Sequence, residues 1–145
     1  MRVISDEVRN KFAELWVDLD IVILVDSDFI FPKVDEVIKI FNESKVHEMQ
    51  FVSQFNDCDN FALFFLAEVR KKLYDQYMNN ELESDQLFPW AMGIAICTMT
   101  RGMDTTHAVN IVVCEEGIYI FDKTPDSNRF WKASKEMDNP IIVYM

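Results

Sequence analysis

The apolar residues follow two rhythms along the chain. In the first half they recur every three or four positions, as Val8, Phe12, Leu15, Trp16 and Leu19 do after Ser5, a residue suited to capping a helix whose first turn holds Asp6 and Glu7. That spacing predicts a first helix with one buried face. Pro32 suits a first helical turn, and Val34, Val37, Ile38 and Phe41 give a second amphipathic helix up to about Ser44. The third begins near Asp59, with Phe61, Ala62, Phe65, Leu66, Val69 and Leu73 in a stripe that Leu63 and Phe64 widen. Between the first two, Ile21 to Val25, bounded by Asp20 and Asp26, reads as a short buried strand or an apolar connector.

After Pro89 the rhythm changes. Trp90 to Met99, His107 to Cys114, Gly117 to Asp122 and Ile141 to Tyr144 are β-branched or aromatic runs separated by turn chemistry. Helices first and an antiparallel sheet after is an α+β order, and 145 residues suffice for a single domain over 1–145.

Charge and cysteine content narrow the function classes. A net charge of −11, with the acids spread along the chain, argues against a nucleic-acid partner. No window approaches the ~20 apolar residues that cross a bilayer, and the first residues carry no secretory pattern, so a cytoplasmic protein without a membrane partner is expected. Cys58, Cys97 and Cys114 form an odd set without metal-ligand spacing, the last two in apolar strand-like runs, which predicts buried free thiols there.

Cys58 differs from the other two. It lies in Asn56-Asp57-Cys58-Asp59-Asn60-Phe61-Ala62 at the start of the third helix, where unpaired N–H groups and the helix dipole favour a thiolate. His107 and Asp122 follow on successive strand-like runs. If Glu115 and Glu116 are the two loop residues of a tight hairpin, cross-strand partners have numbers summing to 231, Val109 faces Asp122, and His107 lies diagonal to Asp122 on the same face. A loop one residue longer would separate them. Thiol, imidazole and carboxylate in this order suit an activated nucleophile acting on an amide or thioester. Gln54 is the nearest oxyanion-hole candidate. Arg101 and Asp104, in the loop before His107, would border a cleft, and Trp90 is a third candidate for its lining. Asp57 and Asp59 oppose a lowered thiol pKa, so they are helix-cap groups or cation ligands. A competing reading is a binding surface made from Trp90, Met92, Met99 and Met103.

The segments Asp57-Cys58-Asp59-Asn60-Phe61-Ala62 and His107-Ala108-Val109-Asn110, with Asp122 fifteen positions after His107, resemble the transglutaminase-like cysteine peptidases of the papain-like superfamily, in particular the bacterial transglutaminase-like cysteine proteinases. The resemblance implies a papain-like/transglutaminase-like core, with N-terminal helices including a central Cys-bearing helix packed on a C-terminal antiparallel β-sheet. It also implies a cysteine hydrolase, a peptidase or amidase working through an acyl-enzyme intermediate on a peptide or protein substrate. In it Cys58 is the nucleophile, His107 the general base and Asp122 the group that orients the imidazole. Some such relatives hold calcium beside the cysteine, which would give Asp57 and Asp59 that role; no other cofactor is implied. The alternative is a non-catalytic papain-like binding protein that retains the three residues.

Overall fold

The computed structural model describes residues 1–145 except Asp20 and Phe55, so the acid that precedes the Ile21 run lies outside the described residues. The chain forms β1 (Arg2–Ile4), α1 (Ser5–Leu15), β2 (Ile21–Ile23), β3 (Asp28–Ile30), α2 (Val34–Glu43) and α3 (Cys58–Met78). Then come β4 (Met92–Met99), β5 (His107–Cys114), β6 (Gly117–Asp122), β7 (Arg129–Lys132) and β8 (Asn139–Tyr144). Six strands make one sheet in the order β2-β8-β4-β5-β6-β7, and β1 pairs with β3 in a separate ribbon.

The expected layout, N-terminal helices on a purely C-terminal antiparallel sheet, is corrected on two counts. Three strands lie within the first 30 residues, and one of them, β2, joins the main sheet parallel to β8, with Ile21 opposite Ile142. The β-branched Ile21-Val22-Ile23 is too short to make a helix and takes the open edge of β8 instead. Ile21 and Ile23 are each 47% exposed, so β2 is an edge strand and not a buried one. The first helix also starts one residue earlier than its sequence predicts. Ser5 is its first residue, and the N–H of Ile4 is satisfied by the Glu7 carboxylate at 2.8 Å.

Two apolar clusters cover the two sheet faces. On one, Phe12 of α1 and Trp16, the residue that follows the helix, meet Ile111, Val113, Ile120 and Val143. On the other, Phe41 of α2 and Phe65 of α3 meet Phe121, with ring centroids 5.5 to 6.3 Å apart. Burying each such ring contributes roughly 1.5–3 kcal/mol.

Two local features carry this packing to the site. The β5–β6 register runs from Cys114 opposite Gly117 to Asn110 opposite Phe121, which leaves Glu115 and Glu116 as a two-residue loop. Continued by one pair, it puts Asp122 beside Val109 and diagonal to His107. Meanwhile the buried Asn110 donates from Nδ2 to the carbonyls of Ala62 (2.8 Å) and Gly93 (3.3 Å), tying the first turns of α3 to the sheet. Gly93 has no substitute there, since a Cβ would lie 1.9 Å from the Tyr144 carbonyl of β8.

Candidate functional site

At the first residues of β5 the start of α3 meets the open end of the β5–β6 hairpin. His107 Nε2 lies 2.8 Å from Asp122 Oδ2. The other carboxylate oxygen accepts hydrogen bonds from the Thr124 amide (3.2 Å) and hydroxyl (2.8 Å), so Asp122 starts a turn and holds the imidazole with the same group. Burial would raise the Asp122 pKa, but the bond to His107 and those from Thr124 outweigh it and keep the carboxyl below its ordinary range. His107 is pushed up to about 10, first by that bond and next by the thiol, against the effect of burial.

Cys58 is the first residue of α3 and is half-buried. Its pKa is lowered, chiefly by hydrogen bonding with the His107 imidazole, which outweighs desolvation; the Ala108 amide, donating to Sγ at 3.5 Å, adds to it and the Asp57 charge opposes it. Lowering one partner and raising the other favours a thiolate–imidazolium pair. Cys97 and Cys114 are free thiols buried in the sheet, and desolvation pushes each up to about 12.

The three groups open into a cleft of about 560 Å³. Phe51 and Trp131 supply aromatic walls, Arg101 and Arg129 cations, and Thr105 and Thr106 hydroxyls. Arg101 is thus among the residues that line the cleft. Asp104 and Trp90 do not: Asp104 is exposed beyond the lining, and Trp90 bridges to Ile30 and packs against the α2–α3 cluster. The methionine surface does not form either, because Met92 is buried in the core while Met103 lines the cleft. Gln54 is exposed, with a left-handed φ of 62°, and is absent from the lining; the amide that reaches the thiol is that of Ala108.

Asp57 holds the cap position of α3, its N–H donating to Asn60 Oδ1 at 3.2 Å. Its carboxyl is raised chiefly by a hydrogen bond shared with Asp59. Among the described residues no group of three or more His, Cys, Asp or Glu side chains is placed to hold a metal ion. Nor is any helix among them long and apolar enough to cross a membrane. Trp131 and Arg129 were not foreseen in the cleft. Their signal is the alternation of Arg129 and Trp131 with Phe130 and Lys132 along β7, a four-residue strand that carries little periodicity.

The model of the Agglutinin C-terminal family matches residues 29–130. The chain belongs to that family. Two solved structures share the fold of this agglutinin C-terminal chain. One, PSL1a in complex with E64, superposes with a TM-score of 0.71 at 19% identity, over 99% of this chain and 51% of its own. The other is Polyporus squamosus lectin bound to the human-type influenza-binding epitope Neu5Acα2-6Galβ1-4GlcNAc, with a TM-score of 0.70 at 17% identity, over 99% and 49%. The chain thus spans about half the length of either structure. No curated protein matches it.

These findings overturn the membership expected from the short motifs, and with it the papain-like/transglutaminase-like core. The family is an agglutinin family and the frame is one shared with lectin structures. The inference of a cysteine hydrolase acting on a peptide or protein, and of its non-catalytic papain-like alternative, falls with that membership. The physical reason is plain: three residues and two spacings do not identify a frame, because any fold that sets a helix start beside a hairpin end brings such groups together.

Proposed function

We propose that this chain is a ligand-binding module of an agglutinin-type, carbohydrate-recognising protein, with the Cys58 cleft as its own site. The family and the glycan bound by the Polyporus squamosus lectin support the carbohydrate part of the reading. The makeup of the cleft suits it. Phe51 and Trp131 offer faces for the apolar sides of sugar rings, and Thr105, Thr106, Arg101 and Asp126 offer partners for hydroxyls. Because the chain corresponds to about half of that lectin, the test uses this chain alone. Titration calorimetry with Neu5Acα2-6Galβ1-4GlcNAc and with a panel of neutral and acidic oligosaccharides should give a Kd between about 1 μM and 1 mM for at least one, lost in Trp131→Ala. No heat with any of them would overturn the carbohydrate reading.

Within the cleft we assign Cys58 the role of reactive thiol, His107 that of its proton partner and Asp122 that of the orienting group. One observation carries this assignment: the thiol, the imidazole and a carboxylate fixed on both oxygens adjoin in an open cleft. Such a thiolate attacks an electrophilic carbon while the imidazolium keeps the proton within reach. PSL1a forms a complex with E64, an epoxide, and the same reagent should add to Cys58. The S–C bond forms as the ring C–O bond breaks, and the ring oxygen takes a proton from His107. Mass spectrometry of the treated protein reads the adduct, which Cys58→Ser should abolish. Labelling that appears only after unfolding would defeat the assignment.

A further inference from the structure

Arg101 occupies a position ill-suited to arginine. Thr100 and Met103 exchange both backbone hydrogen bonds, at 3.2 and 2.9 Å, so Arg101 and Gly102 are the two central residues of a tight hairpin turn, at φ 52° and 77°. Asn-Gly is the favoured pair in such turns, and a longer side chain at the first position is strained. Strain of this kind persists where the surroundings impose it. Here they do. The Arg101 N–H donates to Asp138 Oδ1 at 3.0 Å, the Trp131 indole N–H donates to the same oxygen at 3.0 Å, and the Ser134 N–H takes Oδ2 at 3.0 Å. Asp138 is fully buried, so one carboxylate locks the turn and the Trp131 ring to each other. The Arg101 guanidinium lies 5.6 Å over the centre of that ring, on the cleft wall.

A cation–ring contact of this kind consumes no N–H donor, so the guanidinium keeps its hydrogen bonds for another partner. Among the described residues the Arg101 guanidinium has no carboxylate partner, and neither has Arg129, the other cation of the cleft; Arg129 instead donates from Nε to the Ser127 carbonyl at 3.3 Å. Of the acids that line the cleft, Asp122 is committed to His107 and Thr124, which leaves Asp126 to face Arg101 and Arg129. In a chain of net charge −11 the lining of this cavity is balanced, Arg101 and Arg129 against Asp122 and Asp126, and the Asp122 charge is already taken up by His107.

We propose that Arg101 reads a carboxylate on the ligand of the Cys58 cleft, gripping it with two N–H groups while the Trp131 ring attracts the cation to the cleft wall. A forked guanidinium matches a carboxylate in geometry as well as charge. The inference rests on the reading of this cleft as a ligand site, and the test separates the two. Iodoacetate and iodoacetamide bring the same carbon to Cys58, with iodide leaving as the S–C bond forms, and differ in a carboxylate against a neutral amide. Their rate ratio at Cys58 should exceed the ratio for glutathione. Arg101→Asn should lower it roughly fivefold, and Arg101→Lys by less. Asn suits the turn, so Arg101→Asn should also melt at the same temperature as the natural protein or higher. An unchanged ratio, with Cys58 still reactive, overturns the role of Arg101 and leaves the thiol intact. A Cys58 that reacts no faster than glutathione with either reagent overturns the thiol assignment instead. Tryptophan fluorescence titrated with N-acetylneuraminate and N-acetylglucosamine then decides: a response to the acid alone that Arg101→Asn removes supports the proposal, and equal responses or none overturn it.

Discussion

Cys58 and the pair Cys97 and Cys114 carry the same thiol in two regions of one molecule, and their environments drive it in opposite directions. In the sheet, desolvation acts without a compensating partner and pushes both thiols up to about 12. At the start of α3 desolvation also acts, but the His107 imidazole outweighs it and the thiol is lowered. Burial alone therefore makes a cysteine inert. A charge partner fixed by a third group makes it reactive.

The comparison breaks most severely at His107. Replacing it with alanine should slow alkylation of Cys58 at pH 7 roughly thirtyfold or more, as a thiol of ordinary pKa is mostly protonated there. A rate within twofold of the natural protein would mean that the helix start alone activates the thiol. Asp122→Asn should act less, slowing the same reaction by roughly threefold to tenfold, since the imidazole remains but its titration falls from about 10. NMR titration of the imidazole checks this, and a midpoint still near 10 would exclude Asp122 as its cause.

The buried thiols sharpen the other side. Their folded pKa values lie above the ordinary ~8.5, so the unfolded chain binds fewer protons and stability falls as pH rises past that value. The expected loss is about 1.4 kcal/mol per thiol by pH 9.5. His107 adds its own decline, because stabilisation of a raised imidazole is complete below about 6.5 and gone above about 10, while Cys58 opposes it. Urea titrations of Cys97→Ala and Cys114→Ala across pH 7 to 10 should isolate the sheet thiols as a flatter slope. An unchanged slope would show that they do not titrate on unfolding. The smallest effect belongs to Asp57→Asn, which removes a charge that opposes the thiolate and should lower the Cys58 midpoint by roughly a few tenths of a pH unit. A rise would assign Asp57 a supporting role.

How legible these regions are in the sequence depends on how local their causes are. The α3 stripe is read from Phe61, Phe65 and Val69, and the proximity of His107 to Asp122 from the parity of a two-residue loop. Both depend only on neighbouring residues. The Trp131 wall is hidden, because the carboxylate that fixes it, Asp138, looks like any polar loop residue until the fold closes over it. So is β2, whose three residues have no period and whose partner is remote. The frame itself is misread for a related reason: short motifs at a helix start and a hairpin report which groups adjoin, not which architecture brings them together.

That remote pairing has a consequence for how the molecule is made. Ile21 pairs with Ile142, so 121 residues must leave the ribosome before β2 has a partner. At roughly 5–20 residues per second, Ile21 and Ile23 wait on the order of ten seconds as an uncovered β-branched edge. Pairing across so long a separation is also intrinsically slow. The nascent chain is thus most exposed to sticking, to its own copies or to others, at the strand that the finished protein closes last.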